Sequence, residues 1–313
     1  MSTVIDVTPQ SPSSTPAIEP TTEAIPAPRH WEKPIKKTLY TLNVSPDGTN
    51  LYAPEICQLT YPLIKGYAEK IGADFCIINE RKRPDWPITI EKFQVAELAA
   101  RNGDDWSIFV DSDTLISPEF FDITAHMSKD TVAHNGNDMS SVRFRPDNYF
   151  LRDGRYFGSC TWLVIASDWC MQDLWRLPEF ATPEEAFENI SITISEHNSG
   201  HCKRDHLIDD YTLSRNISRF GLKTTTVIDI CGKLGWRTPD GRGASPHLFH
   251  LYTLSEKEKL GRMLAVLGTP QGHIIPDPRN PQNAPGGFPP LGIGWGLMDP
   301  GKAQELAKKW GLK

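Results

Sequence analysis

The sequence predicts a single α/β domain in which helices cover a mostly parallel sheet. Short apolar runs alternate with segments of helical periodicity from residue 38 to residue 228, and this alternation is typical of βαβ units. One of the runs ends directly in two aspartates, where a parallel sheet presents ligand-binding groups. No internal repeat and no Gly-rich dinucleotide or P-loop motif interrupts the pattern.

The elements follow in chain order. We predict strands from the apolar runs and helices from the 3.6-residue spacing of apolar side chains. Ser167 is a suitable N-cap for one helix, and Gly221 is suited to end another. The predicted strands are 38–44, 73–78, 106–110, 159–166 and 223–228, and the predicted helices are 52–71, 91–101, 167–175, 206–220, 255–267 and 302–309.

The two ends of the chain differ in composition from its middle. Residues 1–33 are rich in Pro, Ser and Thr and carry too little apolar area to offset their ordering entropy, so we expect a disordered tail. Residues 34–267 form the predicted domain. Residues 268–313 are rich in Pro and Gly but include apolar side chains such as Trp295, which predicts a strap laid over the domain, followed by a short helix.

Charge and composition exclude several classes of protein. The net charge of −6 argues against a dedicated nucleic-acid binder, although it leaves a nucleobase open as an acceptor. No apolar stretch approaches the roughly 20 residues of a membrane span, and the N-terminus lacks the pattern of a signal peptide, so we expect a cytoplasmic protein. The six cysteines contain no C-x-x-C pair, which predicts reduced thiols.

The motif FVDSDTLI at residues 109–116 carries the clearest chemistry. Asp111, Ser112 and Asp113 follow an apolar strand, so both carboxylates lie at the rim of the sheet, where oxygen ligands can hold Mg²⁺ or Mn²⁺. The alternative is that the two aspartates only cap a turn, because D-x-D is a common sequence.

The ordered combination YAEKIGADFCII, KFQVAELA and DWSIFVDSDTLI resembles the nucleotide-sugar-binding half of glycosyltransferases of the GT-A fold. It is most similar to the Golgi α-galactosyl, α-mannosyl and xyloglucan xylosyl transferase families, and more distantly to glycogenin-like enzymes. The resemblance covers about residues 38 to 120. It implies that Asp111 and Asp113 hold the cation and that Lys92 lies beside the donor.

The resemblance also implies partners in the second half. Residues 157–159 are similar to the turn beneath the acceptor, and Asp209 and Asp210 are candidates for the groove that faces the sugar. Helical spacing places Asp205 on the same face as Asp209, although an acidic first turn would also suit the helix dipole. A His near the domain end completes the metal site in such enzymes, which implies His250 ahead of His247.

Two further features allow other interpretations. His197, His201, Cys202 and His206 contain zinc-binding residue types, but their spacing matches no standard finger. The basic run 81–83 with Trp86 is suited to contact a diphosphate or a polyanionic acceptor, whereas a solvated loop is the simpler interpretation.

Together these residues predict a metal-dependent glycosyltransferase that moves a hexose or pentose from a UDP- or GDP-sugar to a hydroxyl acceptor, with a glycan as the favoured acceptor. The resembled families mostly retain configuration at the transferred sugar. Two alternatives stay open: a nucleotidyltransferase with a carboxylate-bound metal, and a non-enzymatic module that binds carbohydrate through a divalent cation. The donor sugar, base, acceptor, stereochemical outcome and oligomeric state do not follow from the sequence.

Overall fold

A computed structural model describes residues 34–44, 53–135, 161–189, 204–235, 247–251, 254–275 and 292–312. Within these ranges the strands are β1 Lys37–Leu42, β2 Asp74–Ile78, β3 Trp106–Val110, β4 Thr114–Ile116, β5 Thr131–His134, β6 Leu163–Ser167, β7 Lys223–Thr226, β8 Leu248–His250, β9 Ile274–Ile275 and β10 Gly292–Ile293. The α-helices are α1 Pro54–Lys70, α2 Gln94–Asn102, α3 Met171–Leu174, α4 Pro183–Asn189, α5 Arg204–Arg219, α6 Val227–Lys233, α7 Glu256–Gly268 and α8 Pro300–Lys309.

The main sheet has six strands in the order β2-β1-β3-β6-β5-β7. The pairings of β1 with β2 and β3, and of β5 with β7, are parallel, whereas β6 pairs antiparallel with both β3 and β5. Five strands therefore point one way, and their carboxyl ends share one edge of the sheet with the start of β6. The predicted α/β fold with a mostly parallel, helix-covered sheet is confirmed.

Helices cover both faces of this sheet. Strand β3 is buried along its whole length, as expected when neither face meets solvent. Its side chains alternate: Phe109 packs with α2 and α5, whereas Ile108 and Val110 pack with α1 and α6. The sheet therefore holds the end of β3 rigidly between two apolar layers.

A third apolar cluster lies beside the sheet, where α1, α7 and α8 meet. The N-cap Ser255 starts α7 with a capping box shared with Glu258. Residues 294–298 run along the end of α7, and Trp295 N donates to Val266 O at 2.8 Å. The described part of the predicted C-terminal strap thus contacts the domain through both apolar packing and backbone hydrogen bonds.

Three predicted elements differ from the structure. The segment predicted as helix 91–101 begins as a 3₁₀ helix, Ile88–Phe93, and continues as α2. Ser167 ends β6 instead of capping a helix, because its Oγ accepts from Trp169 N in a tight turn before α3. Strand β7 stops at Thr226, whose side chain caps α6 by accepting from Asp229 N, a helix that the apolar run had concealed.

No helix in the described ranges combines the length and the apolar character needed to cross a bilayer. Four of the six cysteines are described, and these four are not in disulfide bonds. Residues 1–33, the turn at 157–159 and the residues His197, His201 and Cys202 lie outside the described residues.

Candidate functional site

The D-x-D segment forms a tight turn at the carboxyl end of β3. Asp111 N donates to Trp162 O at 2.8 Å, and Thr114 N donates to Asp111 O at 3.1 Å. Helix α1 holds the turn from one side, because Thr60 Oγ1 donates to the carbonyl of the buried Ser112 at 2.5 Å. The turn that carries both aspartates is therefore held by contacts that do not use their carboxylates.

A short antiparallel pair brings a histidine to this turn. Strand β8 pairs with β4 so that His250 lies opposite Thr114, and its imidazole stacks on the indole of Trp162 at a centroid distance of 4.8 Å. Nε2 of His250 lies 3.2 Å from Asp113 Oδ1 and 3.9 Å from Asp111 Oδ2. The structure therefore brings together the three residues that were predicted as metal ligands.

His247 lies elsewhere, three residues earlier at the other end of β8. Its backbone carbonyl accepts from Ser117 N at 2.9 Å, and its Nδ1 is 3.8 Å from Glu119 Oε2. Burial lowers the pKa of His247, and the nearby Glu119 carboxylate partly offsets this shift. It is outside the metal-binding group found among the described residues.

Asp111, Asp113 and His250 fit a divalent cation. Their ligand atoms all lie within 4.8 Å of one another. A six-coordinate ion with bonds of about 2.1 Å separates neighbouring ligand atoms by about 3 Å and opposite ones by about 4 Å, so only a small contraction is needed. Two carboxylate oxygens with one imidazole nitrogen suit Mn²⁺, and Mg²⁺ is compatible with the carboxylates.

Lys259 on α7 reaches the same turn, although sequence analysis did not select it. Its Nζ lies 2.5 Å from Asp113 Oδ2, and its side chain is only 11% exposed. Burial alone would raise the pKa of Asp113, but the adjacent His250 and Lys259 lower it below its ordinary value. Asp113 is consequently held as a carboxylate.

Lys92 lies on the other side of Asp111 and is buried. Its Nζ is 3.0 Å from Asp111 Oδ1 and 3.3 Å from Asp111 Oδ2, 2.9 Å from Asp209 Oδ2 and 3.0 Å from Thr161 Oγ1. An ammonium group has three N–H donors, and the three residues Asp111, Asp209 and Thr161 are enough to take all of them. Burial opposes the charge, but Asp111 and Asp209 together raise the pKa of Lys92, so it is an ammonium ion inside the protein.

Helix α5 supplies the two acidic residues beyond Lys92. Asp209 is 1% exposed, and its Oδ2 accepts from Thr161 Oγ1 at 2.5 Å. Asp210 is more exposed, and its Oδ1 accepts from Thr161 N at 2.7 Å. Burial and the neighbouring Asp209 raise the pKa of Asp210 well above its usual range. The side chain of Asp205 lies outside the described part of α5.

Negatively charged side chains outnumber ammonium groups in this cluster. Lys92 contacts the carboxylates of Asp111 and Asp209, Lys259 contacts that of Asp113, and Asp210 is held by the backbone N–H of Thr161. With all four carboxylates ionised and the imidazole of His250 counted as neutral, the cluster carries two uncompensated negative charges, equal to the charge of one divalent cation. Burial raises the pKa of Asp111 as well, against the effect of Lys92, as expected for excess negative charge in a site of low dielectric.

The basic loop after β2 is folded on itself. Arg81 Nη2 donates to Pro84 O and to Trp86 O, and Arg83 N donates to the buried Glu91 carboxylate at 2.6 Å. The simpler interpretation as a solvated loop is therefore incomplete, because Arg81 and Arg83 are both partly buried.

Comparison with known proteins gives matches among solved structures alone. No protein-family model and no curated protein matches the chain. One similar structure is described as a glycosyltransferase involved in glycosylation of the major capsid of PBCV-1, with TM-score 0.41, 12% identity, and coverage of 72% of this chain and 98% of that one. Another is a protein from STIV, with TM-score 0.32, 11% identity, and coverage of 61% and 81%. The Golgi and glycogenin-like families remain a prediction from the sequence.

Proposed function

We propose that the chain is a metal-dependent glycosyltransferase that moves a sugar from a UDP- or GDP-sugar to a hydroxyl group, most simply that of a glycan. The observation that carries this proposal is one continuous cluster at the carboxyl edge of the sheet. In it, three candidate ligands for a divalent cation are joined through Lys92 to the buried Asp209, which lies next to Asp210 on α5. A cation there would stabilise the diphosphate that leaves a nucleotide-sugar, and a carboxylate beside it would serve the acceptor or the sugar.

Asp111, Asp113 and His250 would hold Mn²⁺ or Mg²⁺. A divalent ion in that place supplies positive charge for the diphosphate that leaves the sugar. The turn that carries the aspartates is fixed by Trp162 and Thr60, so little reorganisation is needed when charge develops. Ser112, between the two ligands, contributes the carbonyl that anchors the turn to α1.

The two aspartates of α5 have different roles in this proposal. Asp209 is 1% exposed and pairs with Lys92, so it acts as an internal counter-ion. Asp210 is partly exposed, so it is the carboxyl group that can meet a sugar, and its raised pKa makes its ionised form a stronger base. There it would take a proton from the acceptor hydroxyl in an inverting reaction, or stabilise the positively charged sugar in a retaining one.

Lys92 acts through its neighbours and not on the donor. Its three contacts consume its three donors, which leaves none for a phosphate. Its ammonium group lies between the carboxylates of Asp111 and Asp209 and offsets the repulsion between them. We therefore assign Lys92 to charge balance within the cluster, in place of the contact with the donor that the resemblance implied.

Thermal unfolding with nucleotides tests the proposal against its two alternatives. We expect UDP or GDP to raise the melting temperature in the presence of Mn²⁺ and to have little effect without it. Stabilisation by ATP with Mn²⁺, and not by the diphosphates, would favour a nucleotidyltransferase. Stabilisation by free glycans with Mn²⁺ and by no nucleotide would favour a carbohydrate-binding module.

A matched pair of variants gives the control. Asp113→Asn removes a predicted ligand charge, whereas Asp168→Asn makes the same change at an exposed carboxylate just past the far end of β6, where it pairs with Lys129. The nucleotide-dependent shift should disappear in the first variant and persist in the second.

A further inference from the structure

We propose that Thr161 is the positioning residue of the acidic pair, and that its hydroxyl sets the relative placement of Lys92 and Asp209 in the transfer reaction. This inference rests on the proposed function. Thr161 directly precedes Trp162, whose ring stacks on the predicted ligand His250. No sequence motif pointed to Thr161. It is 3% exposed, so it acts through its neighbours and not by touching substrate.

The hydroxyl of Thr161 both donates and accepts a hydrogen bond within the cluster. It donates to Asp209 Oδ2 at 2.5 Å and accepts from Lys92 Nζ at 3.0 Å. A hydroxyl offers one donor and two acceptor positions, so the one oxygen can bind both the ammonium and the carboxylate. Asp209 Oδ2 and Lys92 Nζ are themselves 2.9 Å apart, so the three atoms contact one another in a triangle.

The backbone of Thr161 fixes the other aspartate. Its N–H donates to Asp210 Oδ1 at 2.7 Å, and Val, Ser or Ala at this position would keep that N–H. A change in the hydroxyl therefore removes a hydrogen-bond partner from Asp209 and Lys92, while Asp210 keeps the hydrogen bond from the Thr161 N–H.

The next residue joins this group to the metal end of the site. Trp162 accepts a hydrogen bond from Asp111 N through its carbonyl, and its ring stacks on His250. The dipeptide 161–162, immediately before β6, thus contacts both halves of the cluster. Thr161 and Trp162 provide a rigid connection through which the acidic pair is placed relative to the predicted cation ligands.

Replacing the hydroxyl with a methyl group isolates its contribution. Thr161→Val keeps the shape but removes an acceptor from Lys92 and a donor from Asp209, whose Oδ1 already has no hydrogen-bond partner among the described residues. Hydrogen bonds to charged groups are worth enough to change a rate about 10- to 100-fold when lost. We expect kcat to fall by that factor while KM for the donor changes less than about threefold, because no donor contact is removed.

The experiment measures Mn²⁺-dependent release of nucleoside diphosphate from UDP-glucose, UDP-galactose, UDP-xylose and GDP-mannose. Thr161→Ser keeps the hydroxyl and should restore kcat to within about threefold of the wild type. Thr41→Val is the matched control, because Thr41 is fully buried in β1 and its Oγ1 has no hydrogen-bond partner in the described residues. Where the Val variant does not fold, Thr161→Ala replaces it in the same comparison.

The outcomes separate the two proposals. A loss of kcat in Thr161→Val with rescue in Thr161→Ser and an unchanged Mn²⁺-induced thermal shift supports the positioning role. A wild-type rate in Thr161→Val, or an equal loss in Thr161→Ser, overturns it and leaves the proposed function standing. If the wild-type protein releases no diphosphate from any donor, the proposed function is overturned and this role with it.

Discussion

Asp113→Asn has two separable consequences, one for stability and one for metal binding. Asparagine keeps the shape of the side chain but removes the charge that faces Lys259 and His250. The sequence alone predicts a variant that folds normally and binds no metal. The contact with Lys259 changes the first part of that expectation, because the substitution leaves a buried ammonium group without its carboxylate.

The size of the stability effect follows from the burial of the pair. The side chains of Asp113 and Lys259 are 8% and 11% exposed, and breaking a buried ion pair by removing one partner costs about 3–5 kcal/mol. At about 2 °C per kcal/mol for a domain of this size, the melting temperature should fall by about 6–10 °C. Asp113→Asn with Lys259→Met removes both charges and should recover most of that loss.

Thermal unfolding with and without Mn²⁺ measures both consequences. We expect the wild type to gain stability from Mn²⁺, and both Asp113 variants to gain little, whatever their starting stability. A double variant no more stable than Asp113→Asn would refute the ion-pair reasoning. A full Mn²⁺-induced shift in either variant would refute the assignment of Asp113 as a ligand.

Three other predictions follow from single positions. His250→Ala should lose most of the Mn²⁺-induced thermal shift and His247→Ala should keep it, since only the first lies beside Asp113; the reverse result would mean that the other histidine is the ligand. Burial lowers the pKa of His134 to about 4, so the folded protein favours the neutral imidazole. The contribution of His134 to the stability of the protein is therefore complete above pH 6.5 and is lost as the pH falls towards 4. The free energy of unfolding should therefore fall by about 3 kcal/mol in the wild type. Urea unfolding at pH 7 and pH 4 should show a smaller fall in His134→Gln, and an equal fall in both proteins would exclude His134 as its source. Gly294→Ala would place a Cβ 2.5 Å from the carbonyl oxygens of residues 269 and 270, so the free energy of unfolding should fall by about 2 kcal/mol. Gly261→Ala, at an open position in α7, should instead raise it by about 1 kcal/mol. An undiminished stability of Gly294→Ala would show that the backbone around residue 294 can shift to accommodate the Cβ.

Much of the sheet and half of the site are predictable from the sequence. Strand β3 was predicted with its observed bounds, because a fully buried strand is a continuous apolar run that ends sharply at a charge. The position of Asp111 and Asp113 at the sheet edge follows from that boundary. His250 was found through a family resemblance, and its closeness to Asp113 depends on a three-residue strand pair that the sequence does not indicate.

The other half of the site could not be read from local patterns. Lys259 lies 146 residues from Asp113 on a helix whose polar residues look like an ordinary solvated face. Thr161 is an unremarkable residue before a strand, and its importance comes from the meeting of β6 with α5. Lys92 was selected, but its burial between two carboxylates was not foreseen, because sequence spacing does not show which charges a fold will enclose.

Direct turnover of the donor is the measurement that decides most. Purified wild-type protein is incubated with the same panel of UDP- and GDP-sugars, and release of nucleoside diphosphate is followed with Mn²⁺, with EDTA, and with the Asp113→Asn variant. Water can serve as the acceptor, so the natural acceptor need not be known. We expect release from at least one donor that requires Mn²⁺ and is absent in the variant. Release that persists in EDTA or in Asp113→Asn, or no release from any donor, would contradict a metal-dependent glycosyltransferase built on Asp111, Asp113 and His250.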